Sequence, residues 1–222
     1  MSPNIPLSQQ VVIITGASTG IGAALAQFLA KQFQGIRLVL AARNQAKLET
    51  VANYCSKSGA EVMVVPTDIA QVEQAEDLAR AAILRFSRVD VLVNNAGYGQ
   101  MGPVELIAAE AAKRQFEVNL LGPLALIRAV IPQMRDQGGG RIINISSIGG
   151  KMAFPFGGLY SASKFALEGI SDALRMELEP FNIKVSVIEP GPVTTEFFDV
   201  AAQGVAQAVK DAQKTPYRAA FC

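Results

Sequence analysis

Histidine is absent from this 222-residue chain, and that absence removes whole classes of chemistry. Ser-His-Asp and Cys-His hydrolytic machinery is excluded, as are metal sites that rely on imidazole. Acid–base work near neutral pH falls to carboxylates, Lys, Cys or Tyr, each of which needs its pKa moved toward the working pH. Cysteine is scarce. Cys55 and Cys222 lie far apart, which offers neither a disulfide framework nor a closely spaced pair for zinc, so both are expected as free thiols. Surplus charge is missing too: 20 Lys and Arg stand against 19 Asp and Glu. No basic excess points to nucleic acid and no basic tract to an anionic membrane, so small neutral partners fit better. No window approaches about 18 consecutive apolar residues. Met1 to Gln10 carries no basic stretch followed by an apolar run, so neither a membrane span nor a signal peptide is expected, and a cytoplasmic setting is the default.

What the chain does have is apolar content, half of its residues, enough for one sizeable core and most naturally one domain over residues 1–222. Short, nearly continuous β-branched runs read as strands at Val11–Ile14, Ile36–Ala41, Val62–Val65, Val91–Val93, Ile142–Ile145 and Val185–Ile188. Continuous rather than alternating apolar character marks strands covered on both faces, hence a mainly parallel sheet with crossover helices. Segments of helical period fill the gaps at Ile21–Phe33, Gln45–Ser58, Val72–Phe86, Ala108–Met134, Tyr160–Leu178 and Val205–Gln213. The fourth is long enough to bend near Gly122 and Pro123, and Gly138–Gly140 reads as the turn before a strand.

Thr15-Gly16-Ala17-Ser18-Thr19-Gly20-Ile21-Gly22 follows the first strand and opens the first helix. Glycines there let the backbone turn tightly and approach a pyrophosphate, with the helix N-terminus facing its charge. The spacing Gly-x-x-x-Gly-x-Gly departs from the Gly-x-Gly-x-x-Gly fingerprint, and alone it also fits a plain strand–helix turn. A P-loop is excluded, because Ile21-Gly22-Ala23 stands where the Gly-Lys-Ser/Thr would be. The second strand ends Leu40-Ala41-Ala42-Arg43, and no Asp or Glu occurs between Gly22 and Glu49. A carboxylate in this stretch would hold a ribose 2′-hydroxyl, whereas Arg43 can bind a 2′-phosphate, so the pattern favours NADP over NAD. By itself Arg43 also reads as a solvated loop cation.

Tyr160 and Lys164 stand four apart at the start of a helix, which places both on one face within reach of a common ligand. A phenol is a poor base at neutral pH, and a neighbouring ammonium favours its phenolate. A surface helix pair is the plain alternative. Ser147 weakens it, sitting at the end of the fifth strand, where doubly wound sheets place ligand-contacting groups.

The glycine motif at Thr15–Gly22, Asn94-Asn95-Ala96-Gly97 after the fourth strand, Asn119, Ser147, Tyr160 with Lys164, and Pro190-Gly191 after the sixth strand together resemble the short-chain dehydrogenase/reductase family. Order and spacing agree from Val11 to about Thr195, and Tyr160 through Gly169 is most similar to the hydroxysteroid and retinol dehydrogenase branches. The resemblance implies an α/β fold, a Rossmann-type doubly wound parallel sheet of six strands, or seven, with helices on both faces. It implies an oxidoreductase in which Tyr160 exchanges a proton with the substrate oxygen while hydride moves to or from nicotinamide C4. Lys164 would lower the Tyr160 pKa and hold the nicotinamide ribose, and Ser147 would hydrogen-bond the substrate oxygen. Asn119 would hold a water that relays protons to Lys164, or as a helix-interior Asn simply bond to backbone. Gly16, Ser18, Thr19, Gly20, Ile21 and Gly22 would cradle the pyrophosphate. Asp68 would contact adenine or else cap the next helix. Asn94, Asn95, Ala96 and Gly97 would line the adenosine side and brace the sheet, the structural role coming first. Pro190, Gly191 and Val193 would frame the nicotinamide, with Thr195 near its carboxamide. Pairing through the fourth and fifth helical segments into a homodimer or homotetramer is implied by resemblance alone.

Between Ser147 and Tyr160 the chain is rich in apolar residues, including Ile148, Met152, Phe154 and Phe156, and Phe197 and Phe198 follow the Pro-Gly turn. They point to a bulky hydrophobic ketone, aldehyde or alcohol as substrate, or else serve as core or dimer contacts. A reductase of acyl-carrier-protein thioesters within the same family, or a regulator that binds NADP without chemistry, are the alternatives. After Pro190-Gly191 the family pattern calls for a substrate-covering helical region and a seventh strand. About thirty residues remain here without a convincing strand, which predicts a relatively open substrate site.

Overall fold

The computed structural model describes residues 5–193, together with 216 and 217. Six strands form one sheet in the order β3-β2-β1-β4-β5-β6, and every neighbouring pair runs parallel. The strands are β1 (Val11–Thr15), β2 (Arg37–Ala42), β3 (Glu61–Pro66), β4 (Val91–Asn94), β5 (Gly140–Ile145) and β6 (Ile183–Ile188). The helices are α1 (Gly20–Gln32), α2 (Gln45–Lys57), α3 (Val72–Phe86), α4 (Ala109–Phe116), α5 (Gly122–Asp136) and α6 (Gly158–Leu178). The expected six-stranded, doubly wound sheet is thus present, and Pro66 falls at the end of edge strand β3, where a missing N–H is tolerated.

Strand periodicity explains why helices cover both faces. Val11, Ile13, Leu92 and Ile142 point to one side, into a core shared with Leu78 of α3, Leu126 and Met134 of α5, and Leu174 and Leu178 of α6. Val12, Ile14, Leu38 and Val93 point to the other, against Ala26 of α1 and Leu48 and Val51 of α2. The strand order reverses between β1 and β4, and the carboxyl ends of those two strands open the crevice in which such sheets bind ligands. No described helix is long and apolar enough to cross a membrane.

The long fourth segment departs from a plain helix. Between α4 and α5 the backbone widens into a π-helical stretch at Glu117–Leu121. Pro123 has no N–H to donate to the Asn119 carbonyl four residues back, so the α ladder cannot close there. Gly122 follows at a close crossing, where an added Cβ would lie 2.1 Å from the Ile69 carbonyl oxygen. The turn before β5 is as expected: Gly138 and Gly139 have positive φ, and Gly140 already pairs with Ile183. The segment Val205–Gln213 lies outside the described residues.

Candidate active site

The carboxyl ends of β1, β2, β4, β5 and β6 converge on one continuous cleft of about 1110 Å³. Its nucleotide half is built at the β1–α1 turn. Gly16 sits at φ +65°, a conformation that favours glycine, and a Cβ on Gly22 would lie 2.5 Å from the Gly16 carbonyl oxygen. Asn95 braces the turn from β4: its Nδ2 donates to the Thr15 carbonyl at 2.9 Å and to that of Gly16 at 3.2 Å. The Thr15 hydroxyl accepts in return from the Asn95 and Ala96 N–H groups, both at 3.0 Å. Thr19 occupies the N-cap of α1 without a side-chain capping bond, leaving first-turn N–H groups of the helix open to an anion.

Ser18, Thr19, Gly20, Ile21, Arg43, Asp68, Ala96 and Gly97 line this half with Gly16 and Asn95. Arg43 is exposed at the end of β2, and two further cations line the cleft, Lys47 and Arg114, neither singled out from the sequence. Asn44 caps α2 by accepting from the Lys47 N–H at 3.0 Å, which fixes Lys47 one helical turn beyond Arg43. That four-residue spacing was the available signal. Asp68 is not the cap of α3; Gln71 is. The Asp68 carboxylate accepts from Arg114 at 2.6 Å and from the Ala70 N–H at 3.2 Å. Burial works to raise this carboxyl, and those hydrogen bonds with the charges of Arg114 and Arg43 outweigh it, holding it below its ordinary range.

The chemical half lies where β5 meets α6. Ser147, at the N-cap of the short 3₁₀ turn Ile148–Gly150, accepts from the Gly149 N–H at 3.0 Å and hydrogen-bonds the Tyr160 phenol. Tyr160 is buried, and one turn further along α6 the buried Lys164 donates from Nζ to the Ile145 carbonyl at 2.8 Å. The ammonium lies 6.0 Å from the Tyr160 ring centre. Burial lowers the Lys164 pKa to about 8, against a smaller upward pull from Glu168. Burial likewise pushes the Tyr160 phenol above its ordinary value, opposed by the Ser147 hydrogen bond. This differs from the expected lowering of Tyr160 by Lys164, because here the dry surroundings act on both groups and the ammonium is directed at a backbone carbonyl.

Asn119 occupies the π-helical stretch and is almost fully buried. Its Oδ1 accepts from the Tyr98 N–H at 3.1 Å. Both Nδ2 hydrogens are used, on the Tyr98 carbonyl at 3.0 Å and the Ser163 hydroxyl at 3.1 Å. The side chain clamps the segment after β4 against α6, with the fully buried Gln115 adding a 2.8 Å bond to the Tyr98 carbonyl. Tyr98 and Gln115 carried no sequence signal, since their roles depend on a backbone bend.

Pro190, Gly191 and Val193 line the same cleft beside Tyr160, and the Pro190 carbonyl accepts from the Ile148 N–H at 3.1 Å. Thr195, Phe197 and Phe198 lie outside the described residues. Of the apolar residues between Ser147 and Tyr160, Ile148 and Phe154 reach the cleft, joined there by Met101, whereas Met152 is 61% exposed.

A family model for short chain dehydrogenases matches residues 10–205. The chain belongs to the short-chain dehydrogenase family. It is 38% identical over 193 residues to 3-ketodihydrosphingosine reductase of Bacteroides thetaiotaomicron, covering 87% of this chain and 67% of that protein. It is 39% identical over 194 residues to human retinol dehydrogenase 8, covering 85% of this chain and 60% of the relative's length. A metagenomic short-chain oxidoreductase solved with NADP superposes with a TM-score of 0.80 at 36% identity, covering 91% of each chain. A Burkholderia phymatum short-chain dehydrogenase/reductase solved with NAD superposes at 0.84 and 32% identity, covering 96% of this chain and 76% of the other. The family is that of nicotinamide-dependent oxidoreductases, and the members of known structure include both cofactor forms.

Proposed function

We propose that this chain interconverts a hydrophobic ketone or aldehyde and its alcohol with NADP(H), using Tyr160 as general acid and base. The observation that carries the reading is the single cleft that runs from the cation rim at Arg43 to the buried Tyr160–Ser147 hydrogen bond. The nucleotide half fits a dinucleotide: the α1 N-terminus has no side-chain cap, Gly16 and Gly22 clear space for close approach, and Arg43 with Lys47 stands at the end of β2. Two neighbouring cations with no carboxylate between Gly22 and Glu49 favour a 2′-phosphate. When bound, the nicotinamide would supply the hydride in reduction and accept it in oxidation.

This chain's own residues handle the proton and the developing charge. Tyr160 gives its phenolic proton to the carbonyl oxygen in reduction and takes the alcohol proton in oxidation. The Ser147 hydroxyl hydrogen-bonds the same oxygen, where negative charge grows. The Lys164 ammonium binds ribose hydroxyls and stabilises the phenolate left on Tyr160. Ile148, Phe154, Met101 and Val193 give the substrate end an apolar lining, which suits a hydrophobic carbonyl compound. The names of the two relatives, a 3-ketodihydrosphingosine reductase and a retinol dehydrogenase, agree with that class. Leu121 on the π-helical stretch and Phe165 on α6, 48% and 45% exposed, suit pairing with a second copy of the chain. The reading is tested by following NADPH absorbance against a panel of hydrophobic ketones, aldehydes and quinones, with NADH and Tyr160→Phe as controls. Turnover with NADPH that is lost in the variant supports it; tight NADPH binding without turnover on any compound would favour a nucleotide-sensing regulator.

A further inference from the structure

Tyr160, Lys164 and Glu168 follow one another at four-residue steps along α6, so they share one face of the helix. The third of these has no part in the mechanism above, yet it is 6% exposed, and a carboxylate is rarely buried so deeply unless it is paired. Its partner comes from outside the helix. Glu168 Oε2 meets Lys151 Nζ at 2.9 Å, and Lys151 also reaches Glu189, just beyond β6, at 3.3 Å. Glu168 Oε1 has no hydrogen-bond partner among the described residues, nor does the buried Ser146 hydroxyl. A methyl group on Gly150 would lie 2.6 Å from Ser146 Oγ and 3.2 Å from Glu168 Oε1, so both oxygens pack directly against Gly150.

One helical turn before Glu168 stands Lys164, whose ammonium is directed at one neutral acceptor, the Ile145 carbonyl. An ammonium so placed gives up its proton readily unless negative charge lies nearby. We propose that Glu168 is a positioning residue: its buried carboxylate, paired with Lys151 and one helical turn from Lys164, holds Lys164 in the charged form that the catalytic site uses. The inference rests on the reading of Lys164 given above, and the direction of the Glu168 influence on Lys164 agrees with it. Other charged groups around α6 are engaged elsewhere. Lys113 and Arg114 of α4 pair with Glu117 and Arg114 also with Asp68, while Arg175 pairs with Asp172. Arg141 and Lys184 stand near the starts of β5 and β6, at the opposite end of the strands from the cleft. Tyr160 is the remaining titratable neighbour on the same face of α6.

The test is a side-chain NMR titration of Lys164 in the full, cofactor-free chain, assigned with Lys164→Met. Glu168→Gln is expected to move the Lys164 midpoint down by about one pH unit, and Glu168→Asp to restore most of it. Lys151→Met removes a positive charge that offsets Glu168, so it is expected to move the midpoint up. An unchanged midpoint in Glu168→Gln would overturn the proposal, since a residue that merely packs would leave Lys164 where it was. Should Glu168→Gln fail to fold, Lys151→Met decides alone: an upward shift supports the proposal, and no shift or a downward one overturns it. The readout needs neither cofactor nor substrate. A chain that turned over no carbonyl compound would sink the proposed function and leave this measurement intact.

Discussion

Lys164 holds its ammonium 6.0 Å from the centre of the Tyr160 ring while donating at 2.8 Å to the Ile145 carbonyl. The pair is thus assembled by strand β5 as much as by the helix that carries both residues. Its protonation follows from burial, which moves the phenol up and the ammonium down.

A pH dependence follows directly. Lys164 keeps its proton below about pH 8 and sheds it above, whereas the Tyr160 phenol, raised above its ordinary value, stays protonated through that range. Carbonyl reduction needs both protons in place. The kcat/KM for reduction is therefore expected to hold steady up to about pH 8 and fall above it. A pH–rate profile checks this, and a fall that begins only above about pH 10, beyond where an ordinary phenol titrates, would assign the limb to Tyr160 instead.

Arg43 sets the cofactor preference in this account. Arg43→Ala removes charge-assisted bonds to a 2′-phosphate, and NADPH affinity is expected to drop about tenfold or more while NADH affinity stays the same. Fluorescence titration with both nucleotides reads the two constants. Equal loss for both would make Arg43 a general contact with no say in specificity.

Asn119 is expected to matter through the clamp it makes on Tyr98 rather than through chemistry. Asn119→Ala strips three hydrogen bonds from a buried position, a loss that costs about 1–3 kcal/mol for a buried group left unpaired. Urea unfolding should show that loss, alongside weaker cofactor binding as the segment after β4 loosens. Full stability with lost activity would point to a direct catalytic part.

Gly122→Ala tests the close crossing of the π-helical junction over the loop after β3. An added Cβ would meet the Ile69 carbonyl oxygen at 2.1 Å, and a backbone atom cannot move aside as a flexible side chain can. Destabilisation of about 1–3 kcal/mol is expected, read by urea unfolding, and a neutral result would mean that this crossing is looser than described.

Much of this architecture was legible in the residues themselves. Runs such as Val11–Ile14 and Val91–Val93 announced strands covered on both faces, and Val72–Phe86 was readable as a helix from its apolar period, because both signals are local. Ser147, Tyr160 and Lys164 could be marked because Ser147 ends the fifth strand and the three recur in the order of the family pattern that the chain resembles, whereas the Tyr–Lys spacing alone also fits a surface helix pair. The π-helical stretch could not be read, since Pro123 signals a break without saying how the backbone will absorb it. Gln115 and Tyr98 stayed hidden because one is an ordinary amide and the other acts through its main chain. The apolar loop before α6 has no period, so nothing in it foretold that Ile148 and Phe154 would face the cleft while Met152 faced solvent.

The most direct test of the central claim is to supply NADPH deuterated at nicotinamide C4, in each stereochemical form, with a hydrophobic ketone that the chain accepts, and to locate the label. Deuterium on the new carbinol carbon with one form, at a rate reduced about 10²–10⁴-fold in Tyr160→Phe, is the result predicted. Tight NADPH binding with no label transferred to any ketone, or transfer at an undiminished rate in Tyr160→Phe, would contradict it.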